Sequence, residues 1–243
     1  GMTPSTVTRY HSASHTHVGM VRKINEDACL DVPDNGLWAV ADGMGGHASG
    51  DFVSSLIIDS LRCLPPSAVL DTYRGAIIDT LDQVNGQVRV EAQKRGGATM
   101  GSTVVVLAAR GDEALCLWAG DSRLYRLRNG DLQPISRDHS YVQELVDSGL
   151  LDDEAARSHP MGNIVTRALG VQDELELETT RLDVRPGDTF LLCSDGLNKT
   201  VEDHELREVL GHEDPYQVVR SLVHLGLTRG APDNITAVVI KAG

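Results

Sequence analysis

Cysteine is scarce in this chain, and no two cysteines have the C-x-x-C spacing of a zinc or redox motif. The four residues lie far apart, mostly in apolar surroundings: Cys29, Cys63, Cys116 and Cys193. Disulfides belong mainly to oxidising compartments, and zinc sites of this kind need closely spaced ligands. The pattern therefore favours reduced core thiols in a cytoplasmic protein.

Positive charge is also in short supply. The chain has 22 lysines and arginines against 35 aspartates and glutamates, which gives a formal net charge of −13. Nucleic-acid phosphates are bound by basic surfaces, so this balance argues against a nucleic-acid partner. A phosphate-containing substrate would require a local reversal of sign, which two bound divalent cations would supply.

Long apolar runs and linkers are missing as well. No apolar stretch approaches the roughly 18 residues that would predict a transmembrane helix. No Pro/Ser-rich linker or charge block divides the 243 residues, which favours a single domain over residues 3–243. Gly1 and Met2 are interpreted as the remnant of a cleaved tag. We expect a monomer, whose sequence could still be part of a longer protein.

Two apolar stretches end in Asp-Gly. LWAVADG at 37–43 and TFLLCSDG at 189–196 place Asp42 and Asp195 at the ends of buried strands. A two-residue hairpin would need a second strand at once, and neither stretch continues that way. Asp121 follows ALCLWAG, and Asp233 precedes NITAVVI. Each aspartate alone would be interpreted as a turn residue. Together they could converge on hard cations, which take oxygen ligands.

Groups of consecutive strands alternate with helices along the chain. Strands are predicted at 13–21, 27–32, 36–41, 101–110, 113–120, 123–128, 176–183, 189–194 and 234–242. Helices are predicted at 47–63, 70–95, 138–148, 203–211 and 215–229. Because β-α-β alternation is missing, the pattern favours an α+β fold of antiparallel sheets covered by helices. The polar segment 149–165 is predicted to be a lid beside the core.

One motif points to a different class of protein. Residues 43–48, GMGGHA, fit the G-x-G-x-x-A fingerprint of dinucleotide-binding proteins. Asp42 would then place a carboxylate against the pyrophosphate without a cation between them, and the β-α-β repeat of that fold is missing. A nucleotide-binding oxidoreductase is therefore the weakest hypothesis.

A set of longer motifs resembles one family. The motifs are VRKINEDA at 21–28, VADGMGGHASGDFVS at 40–54, TMGSTVVV at 99–106, WAGDSRLYRL at 118–127, RDHSYVQELVDSGLLDDEAARSHPMGNIVTRALG at 137–170, FLLCSDGL at 190–197 and APDNITAVVI at 231–240. In order and spacing they resemble the protein phosphatase 2C-like, metal-dependent (PPM) Ser/Thr phosphatases of bacterial type, over essentially the whole chain. The resemblance implies a four-layer α-β-β-α sandwich of two antiparallel sheets flanked by helices, with residues 149–165 as a flap beside the active site.

The resemblance also implies a centre of two divalent cations, Mn²⁺ or Mg²⁺. Asp42 would bridge both ions, and Gly43 would ligate through its carbonyl oxygen, since a backbone oxygen approaches a metal closely where no side chain intrudes. Asp195 and Asp233 would hold the first ion.

Further residues carry over from the family to this sequence. Glu26 and Asp27 would act mainly through metal-bound waters, and Asp121 with Asp195 would hold a third, weaker ion, as in many bacterial members. Arg22 matches the arginine that binds the substrate phosphate. Its planar guanidinium is suited to that role, because it can donate two hydrogen bonds to two phosphate oxygens.

The implied reaction is hydrolysis of phosphoserine and phosphothreonine by direct attack of a hydroxide that bridges the two ions. The implied partners are phosphorylated proteins and a cognate Ser/Thr kinase in a bacterial signalling circuit. The alternative is a catalytically inactive binding module of the same fold, which would have lost metal carboxylates. Asp42, Asp195 and Asp233 are all present.

The leaving alkoxide needs a proton, and its donor stays open. Met44 stands where animal and plant members have a histidine. His47 lies nearby in the bacterial-type DGMGGH and is the candidate acid. A role in bonding backbone or water at a helix N-terminus is equally favoured for His47.

Overall fold

The computed structural model describes residues 6–7, 9–46 and 49–243. Within these ranges the strands are β1 (Tyr10–His17), β2 (Asp27–Val32), β3 (Leu37–Gly45), β4 (Met100–Ser102), β5 (Val104–Arg110), β6 (Glu113–Ala119), β7 (Arg123–Arg128), β8 (Asp131–Pro134), β9 (Glu178–Asp183), β10 (Thr189–Cys193) and β11 (Ile235–Ala242). The helices are α1 (Ser49–Arg62), α2 (Leu70–Lys94), α3 (Tyr141–Asp147), α4 (Asp153–Arg157), α5 (Asp195–Asn198), α6 (Asp203–Leu210) and α7 (Pro215–Thr228).

The strands form two antiparallel sheets. One sheet has the order β1-β11-β10-β7-β8, and the other has the order β2-β3-β5-β6-β9, with β4 paired to β3. Helices α1 and α2 pack on the outer face of the second sheet, while α6 and α7 pack on the outer face of the first. A third core fills the space between the sheets. The predicted α+β fold, a four-layer sandwich flanked by helices, is confirmed.

The apolar run before Asp42 does not alternate between apolar and polar residues, and the position of β3 explains why. Trp38 and Val40 face the core between the sheets, while Leu37 and Ala39 face α1 and α2. Successive side chains of a strand point to opposite faces, so a strand covered on both sides must be apolar throughout. Asp42 lies within this strand, paired with Asp27 of β2, and its backbone is therefore held rigidly.

Three of the predicted strands had wrong boundaries. The strand predicted at 13–21 is β1, Tyr10–His17. The prediction ended the third strand at residue 41, but β3 continues to Gly45 by pairing with Met100–Ser102. The predicted strand 101–110 is two strands, β4 and β5, separated at Thr103. Glycine is a poor strand former, but long-range pairing overrides that local preference here.

Strand β8 was not predicted at all. It pairs with β7 across Asn129-Gly130, whose φ angles are 51° and 76°. Two residues at positive φ form the hairpin turn that Asn-Gly favours most strongly. The signal was therefore in the sequence, but Asp131–Pro134 is too short and polar to be recognised as a strand by its own composition.

Segment 149–165 contains α4, which the strand and helix prediction did not include. The Asp152 carboxylate caps α4 by accepting a hydrogen bond from the Ala155 N–H at 2.7 Å. No residue of the segment is fully buried. Its assignment as a flap stays a prediction.

The predicted metal-binding aspartates lie at one end of the sandwich and come from both sheets. Asp27 begins β2, and Asp42 lies in β3 of the six-stranded sheet. Asp195 follows β10, and Asp233 precedes β11 of the five-stranded sheet. Because neighbouring strands run in opposite directions, starts and ends of strands meet at the same edge.

The remaining general predictions have mixed outcomes. All four cysteines are free, but only Cys116 and Cys193 are buried; Cys63 is exposed, so the interpretation of all four as core thiols was wrong. Within the described part of the chain, no helix is both long enough and apolar enough to cross a membrane.

Candidate metal centre

Three of the predicted ligands form a compact cluster. Carboxylate oxygens of Asp42, Asp121 and Asp195 all lie within 4.8 Å of one another. Burial raises the pKa of Asp42 and of Asp121 well above the ordinary value, and neighbouring carboxylates raise both further. Like charges this close repel one another strongly away from water, so the cluster requires protons or cations.

Asp27 joins the cluster from the neighbouring strand. It lies directly opposite Asp42 in the β2–β3 pair, a position where like charges destabilise a sheet. Its Oδ2 accepts hydrogen bonds from Ser194 Oγ and Thr236 Oγ1, each at 2.7 Å. Burial nevertheless raises the pKa of Asp27 to about 7, because desolvation outweighs the two hydrogen bonds.

Several buried carboxylate oxygens at this end of the sandwich have no hydrogen-bond partner. In the part of the chain that the structure describes they are Glu26 Oε2, Asp27 Oδ1, Asp121 Oδ1 and Asp195 Oδ1. Buried polar atoms are nearly always paired, so a group of unpaired ones requires an explanation. Carboxylate oxygens are the ligands that hard divalent cations take. The residues present therefore fit such cations.

Thr103 fixes the position of Asp42 in the cluster. The Asp42 N–H donates to Thr103 Oγ1, and the Thr103 N–H donates to the Asp42 carbonyl oxygen, both at 3.0 Å. Thr103 Oγ1 also lies 2.7 Å from Ser122 Oγ, beside Asp121. At Gly120 (φ +118°), a Cβ would come within 2.7 Å of Thr103. One threonine thus sets the spacing of two carboxylates, a role that the sequence analysis missed.

Glu26 and Gly43 lie beside the start of α1. The Gly43 N–H donates to the Glu26 carbonyl oxygen at 2.9 Å. A Cβ at Gly43 would lie 2.0 Å from the Gly50 carbonyl oxygen, and a Cβ at Gly50 would lie 2.2 Å from Glu26 Oε2. The close packing of α1 against β3 therefore needs glycine at both positions. Burial raises the pKa of Glu26, although Arg22 opposes the shift.

Asn234 connects the loop after β1 to the start of β11. Its side chain accepts a hydrogen bond from the Glu26 N–H and donates to the carbonyl oxygens of Val18 and Ile24, at 2.9 to 3.1 Å. The neighbouring Asp233 carboxylate lies 3.7 Å from Arg22 Nε, and both side chains are partly exposed. Arg22 therefore lies at the mouth of the site. The sequence analysis included Asn234 in a motif but gave it no role.

A lysine that the sequence analysis overlooked contacts the cluster. Lys199 Nζ lies 2.8 Å from Asp195 Oδ2. The same ammonium lies 2.6 Å from Asn163 Oδ1 in segment 149–165. Burial lowers the pKa of Lys199, but Asp195, Asp121 and Asp233 together outweigh this and the net shift is upward. His47, the candidate acid, lies outside the described residues, so its role stays a prediction.

Comparison with known proteins decides the family. The model of the family described as Protein phosphatase 2C matches residues 12–225. This chain belongs to the protein phosphatase 2C family. The serine/threonine protein phosphatase PstP of Mycobacterium tuberculosis is 38% identical over 237 residues, which cover 96% of this chain but 45% of the relative. The serine/threonine phosphatase stp of Listeria monocytogenes is 32% identical over 246 residues and is covered to 95%. The chain therefore spans less than half of the first relative and nearly all of the second.

Solved structures of the family have the same fold. A chain described as PppA, a key regulatory component of T6SS in Pseudomonas aeruginosa, is 65% identical, with a TM-score of 0.93 and coverage of 98% and 100% of the two chains. The catalytic domain of PstP in complex with two manganese ions is 32% identical, with a TM-score of 0.85 and coverage of 98% and 99%. Membership of the protein phosphatase 2C family, inferred from the motifs, is confirmed. The roles of individual site residues stay predictions.

The metal-free phosphatase fold is expected to lose stability as the pH rises. Asp27 has a folded pKa of about 7, against roughly 3.9 for an unfolded aspartate. Between these values the folded chain holds a proton that the unfolded chain has released, so the free energy of unfolding falls with increasing pH. Asp42 and Asp121 act in the same direction. The stabilisation is complete below about pH 4 and lost above about pH 7, at roughly 1.4 kcal/mol per pKa unit.

Melting curves of chelator-treated protein at pH 5 and pH 8 test this expectation. Addition of Mn²⁺ should raise the melting temperature more at pH 8, where the carboxylates are ionised. Asp27→Asn should flatten the pH dependence, whereas Asp34→Asn, at an exposed position, should not. A metal-free protein that is more stable at pH 8 than at pH 5 would contradict the assigned shifts.

Proposed function

We propose that this chain is a phosphoprotein phosphatase that hydrolyses phosphoserine and phosphothreonine with two divalent cations, Mn²⁺ or Mg²⁺. The observation that carries the proposal is the convergence of Asp42, Asp121 and Asp195, with buried oxygens that lack partners, in a chain of the protein phosphatase 2C family. The two manganese ions in the PstP catalytic domain support the choice of metal.

The predicted ligands divide between direct and indirect roles. Asp42 would contact both ions, Gly43 would contribute its carbonyl oxygen, and Asp195 and Asp233 would complete the coordination of the first. Glu26 and Asp27 would hold ordered waters. When bound, the cations would lower the pKa of a water and neutralise phosphoryl oxygens.

The chain's own residues would bind and orient the substrate. Arg22 lies at the mouth of the site, 3.7 Å from Asp233 through its Nε, so its guanidinium can turn toward a phosphate while Asp233 restrains it. Two parallel N–H donors suit two phosphate oxygens. No cysteine or serine nucleophile is needed, and the buried Cys193 thiol, whose pKa is raised by burial, is unsuited to such a role.

An inactive binding module of the same fold is the alternative. Such a protein would have no reason to keep several mutually repelling carboxylates, because each buried charge without a partner destabilises the fold. The carboxylates that the family resemblance requires for the metal centre, Asp42, Asp195 and Asp233, are all present here. Activity is therefore the better proposal.

The decisive experiment measures phosphate release from a phosphothreonine peptide with and without Mn²⁺. We expect hydrolysis with Mn²⁺, none in excess EDTA, and full recovery when Mn²⁺ is restored. Hydrolysis that persists in excess EDTA would rule out the proposed mechanism. Tight Mn²⁺ binding without turnover on any phosphopeptide would instead favour the inactive module.

Arg22→Ala is expected to raise the KM for phosphopeptides by about ten-fold to a hundred-fold, through loss of a charge-assisted contact to the phosphate. Steady-state kinetics over a range of peptide concentrations measure this. Lys23→Ala is the matched control, since it removes a positive charge from the next, also exposed, position. Equal effects of both variants would indicate general electrostatic attraction instead of a specific contact.

The substrates would be phosphorylated proteins, including a cognate Ser/Thr kinase and its targets. The 65% identity to PppA, described as a regulatory component of T6SS, supports a similar regulatory role in this protein's own host. Cytoplasmic location and a monomeric state belong to the same proposal. In a strain that carries Asp42→Asn, we expect phosphorylation to accumulate at specific threonine sites. Phosphoproteomics measures this.

A further inference from the structure

Lys199 connects two parts of the molecule that the proposed mechanism treats separately. It follows α5 directly, one turn after Asp195. Its ammonium lies 2.8 Å from Asp195 Oδ2 on one side, and 2.6 Å from Asn163 Oδ1 and 3.4 Å from the Gly162 carbonyl oxygen on the other. A single side chain therefore joins the carboxylate cluster to segment 149–165.

The segment has few other attachments to the core. None of its residues is fully buried, so packing holds it weakly. Arg157 Nη1 donates to the Asn198 carbonyl oxygen at 2.8 Å, and Val165 forms an isolated β-bridge with Ser140. Further contacts are made with α3, among them the hydrogen bond from the Tyr141 N–H to the Ile164 carbonyl oxygen at 3.0 Å and the ring contact of Tyr141 with His159. Segments with few buried contacts open at low free-energy cost. Loss of the Lys199 contact should therefore measurably loosen this one.

The charge of Lys199 bears on cation binding. Asp195 presents Oδ2 to the ammonium, while its Oδ1 is buried without a partner in the cluster. Asp121 is attracted to the same ammonium. A divalent cation shared by Asp121 and Asp195 would lie close to this fixed positive charge and be repelled by it. For that cation to bind strongly, Lys199 must move, and its contact with Asn163 must break.

We propose that Lys199 is a latch that makes a third cation at Asp121–Asp195 and a docked segment 149–165 mutually exclusive. With the ammonium on Asp195, the segment is held down and the third cation is weak. With a cation there, the ammonium withdraws and the segment is released. The inference rests on the proposed metal centre, but it does not depend on which reaction the centre catalyses.

The first test measures cation binding directly. Free Mn²⁺ is followed by electron paramagnetic resonance during titration of the full chain. Lys199→Gln is expected to bind the weakest Mn²⁺ about ten-fold more tightly than the wild type, because a repelling charge is removed. Lys94→Gln, which removes an exposed positive charge at the end of α2, should behave as the wild type. Combining Lys199→Gln with Asp121→Asn should abolish the gain.

The second test measures the segment by hydrogen exchange of peptides that cover 149–165. In the wild type, exchange should rise several-fold over the Mn²⁺ range that fills the weak site. In Lys199→Gln it should already be raised without metal. Asn163→Ala should raise exchange in the same way. It should also tighten the weak Mn²⁺ site, but by less than Lys199→Gln does, because the contact with Asn163 no longer has to break while the ammonium still lies beside Asp195.

These results separate the latch from the metal centre itself. A wild type that binds no Mn²⁺ would overturn the proposed centre. Mn²⁺ binding that is unaffected by Lys199→Gln, or exchange in 149–165 that is unaffected by Lys199→Gln, would overturn the latch and leave the centre intact.

Discussion

Asp42→Asn is expected to abolish phosphopeptide hydrolysis, with turnover falling by at least about a thousand-fold. Asparagine has the shape of aspartate but lacks the charge and one ligand oxygen. The Asp42 carboxylate is the one that lies opposite Asp27 and also within 4.8 Å of Asp121 and Asp195. The large expected loss follows from this central position among the carboxylates.

Stability measurements distinguish loss of chemistry from loss of fold. Burial and neighbouring carboxylates raise the pKa of Asp42, so removing its charge should raise the melting temperature of the metal-free protein at pH 8. The same variant should lose most of the stabilisation that Mn²⁺ gives the wild type. Asp59→Asn, on the exposed side of α1, should change neither property. An Asp42→Asn enzyme with substantial turnover would show that the cations bind elsewhere.

His47→Ala is expected to slow hydrolysis of phosphothreonine peptides by roughly a hundred-fold while largely sparing p-nitrophenyl phosphate. A general acid matters in proportion to the basicity of the leaving group. Threonine leaves as an alkoxide that needs a proton, whereas p-nitrophenol leaves as a stable phenolate. Comparing kcat on the two substrates, for the same variant, isolates the proton transfer from metal binding.

Two outcomes would redirect the assignment of His47. Equal losses on both substrates would mean that His47 orders water or backbone at the site, and the proton would then come from water. No loss on either substrate would remove His47 from the site. His224→Ala, at an exposed position on α7, serves as the control for loss of a histidine.

The carboxylates could be predicted from the sequence because each lies beside a strongly apolar strand pattern. Asp42 and Asp195 end apolar runs that must be buried strands, and Asp-Gly without a following hairpin strand is an unusual ending. Antiparallel topology then brings strand starts and ends to one edge. Grouped strands and helices similarly indicated the fold class without reference to any long-range contact.

The supporting residues could not be predicted in this way. Thr103 and Asn234 act through hydrogen bonds to residues 61 and 208 positions away in the chain, and nothing in their local sequence indicates such partners. Lys199 resembles any exposed helix-end lysine until Asn163 is placed beside it. Strand β3 extends past Gly43 because of its pairing with β4, so its end depends on tertiary structure instead of composition.

The predicted ligands come from both sheets, among them Asp27 and Asp42 from one and Asp195 and Asp233 from the other, so bound cations would act as cross-links across the sandwich. Such cross-links tie the lifetime of the folded chain to metal supply, because a cell's proteases degrade the unfolded fraction continuously. A host short of manganese would then lose the protein itself as well as its turnover. Phosphorylation of its targets would then persist after manganese became available again, until new protein was made.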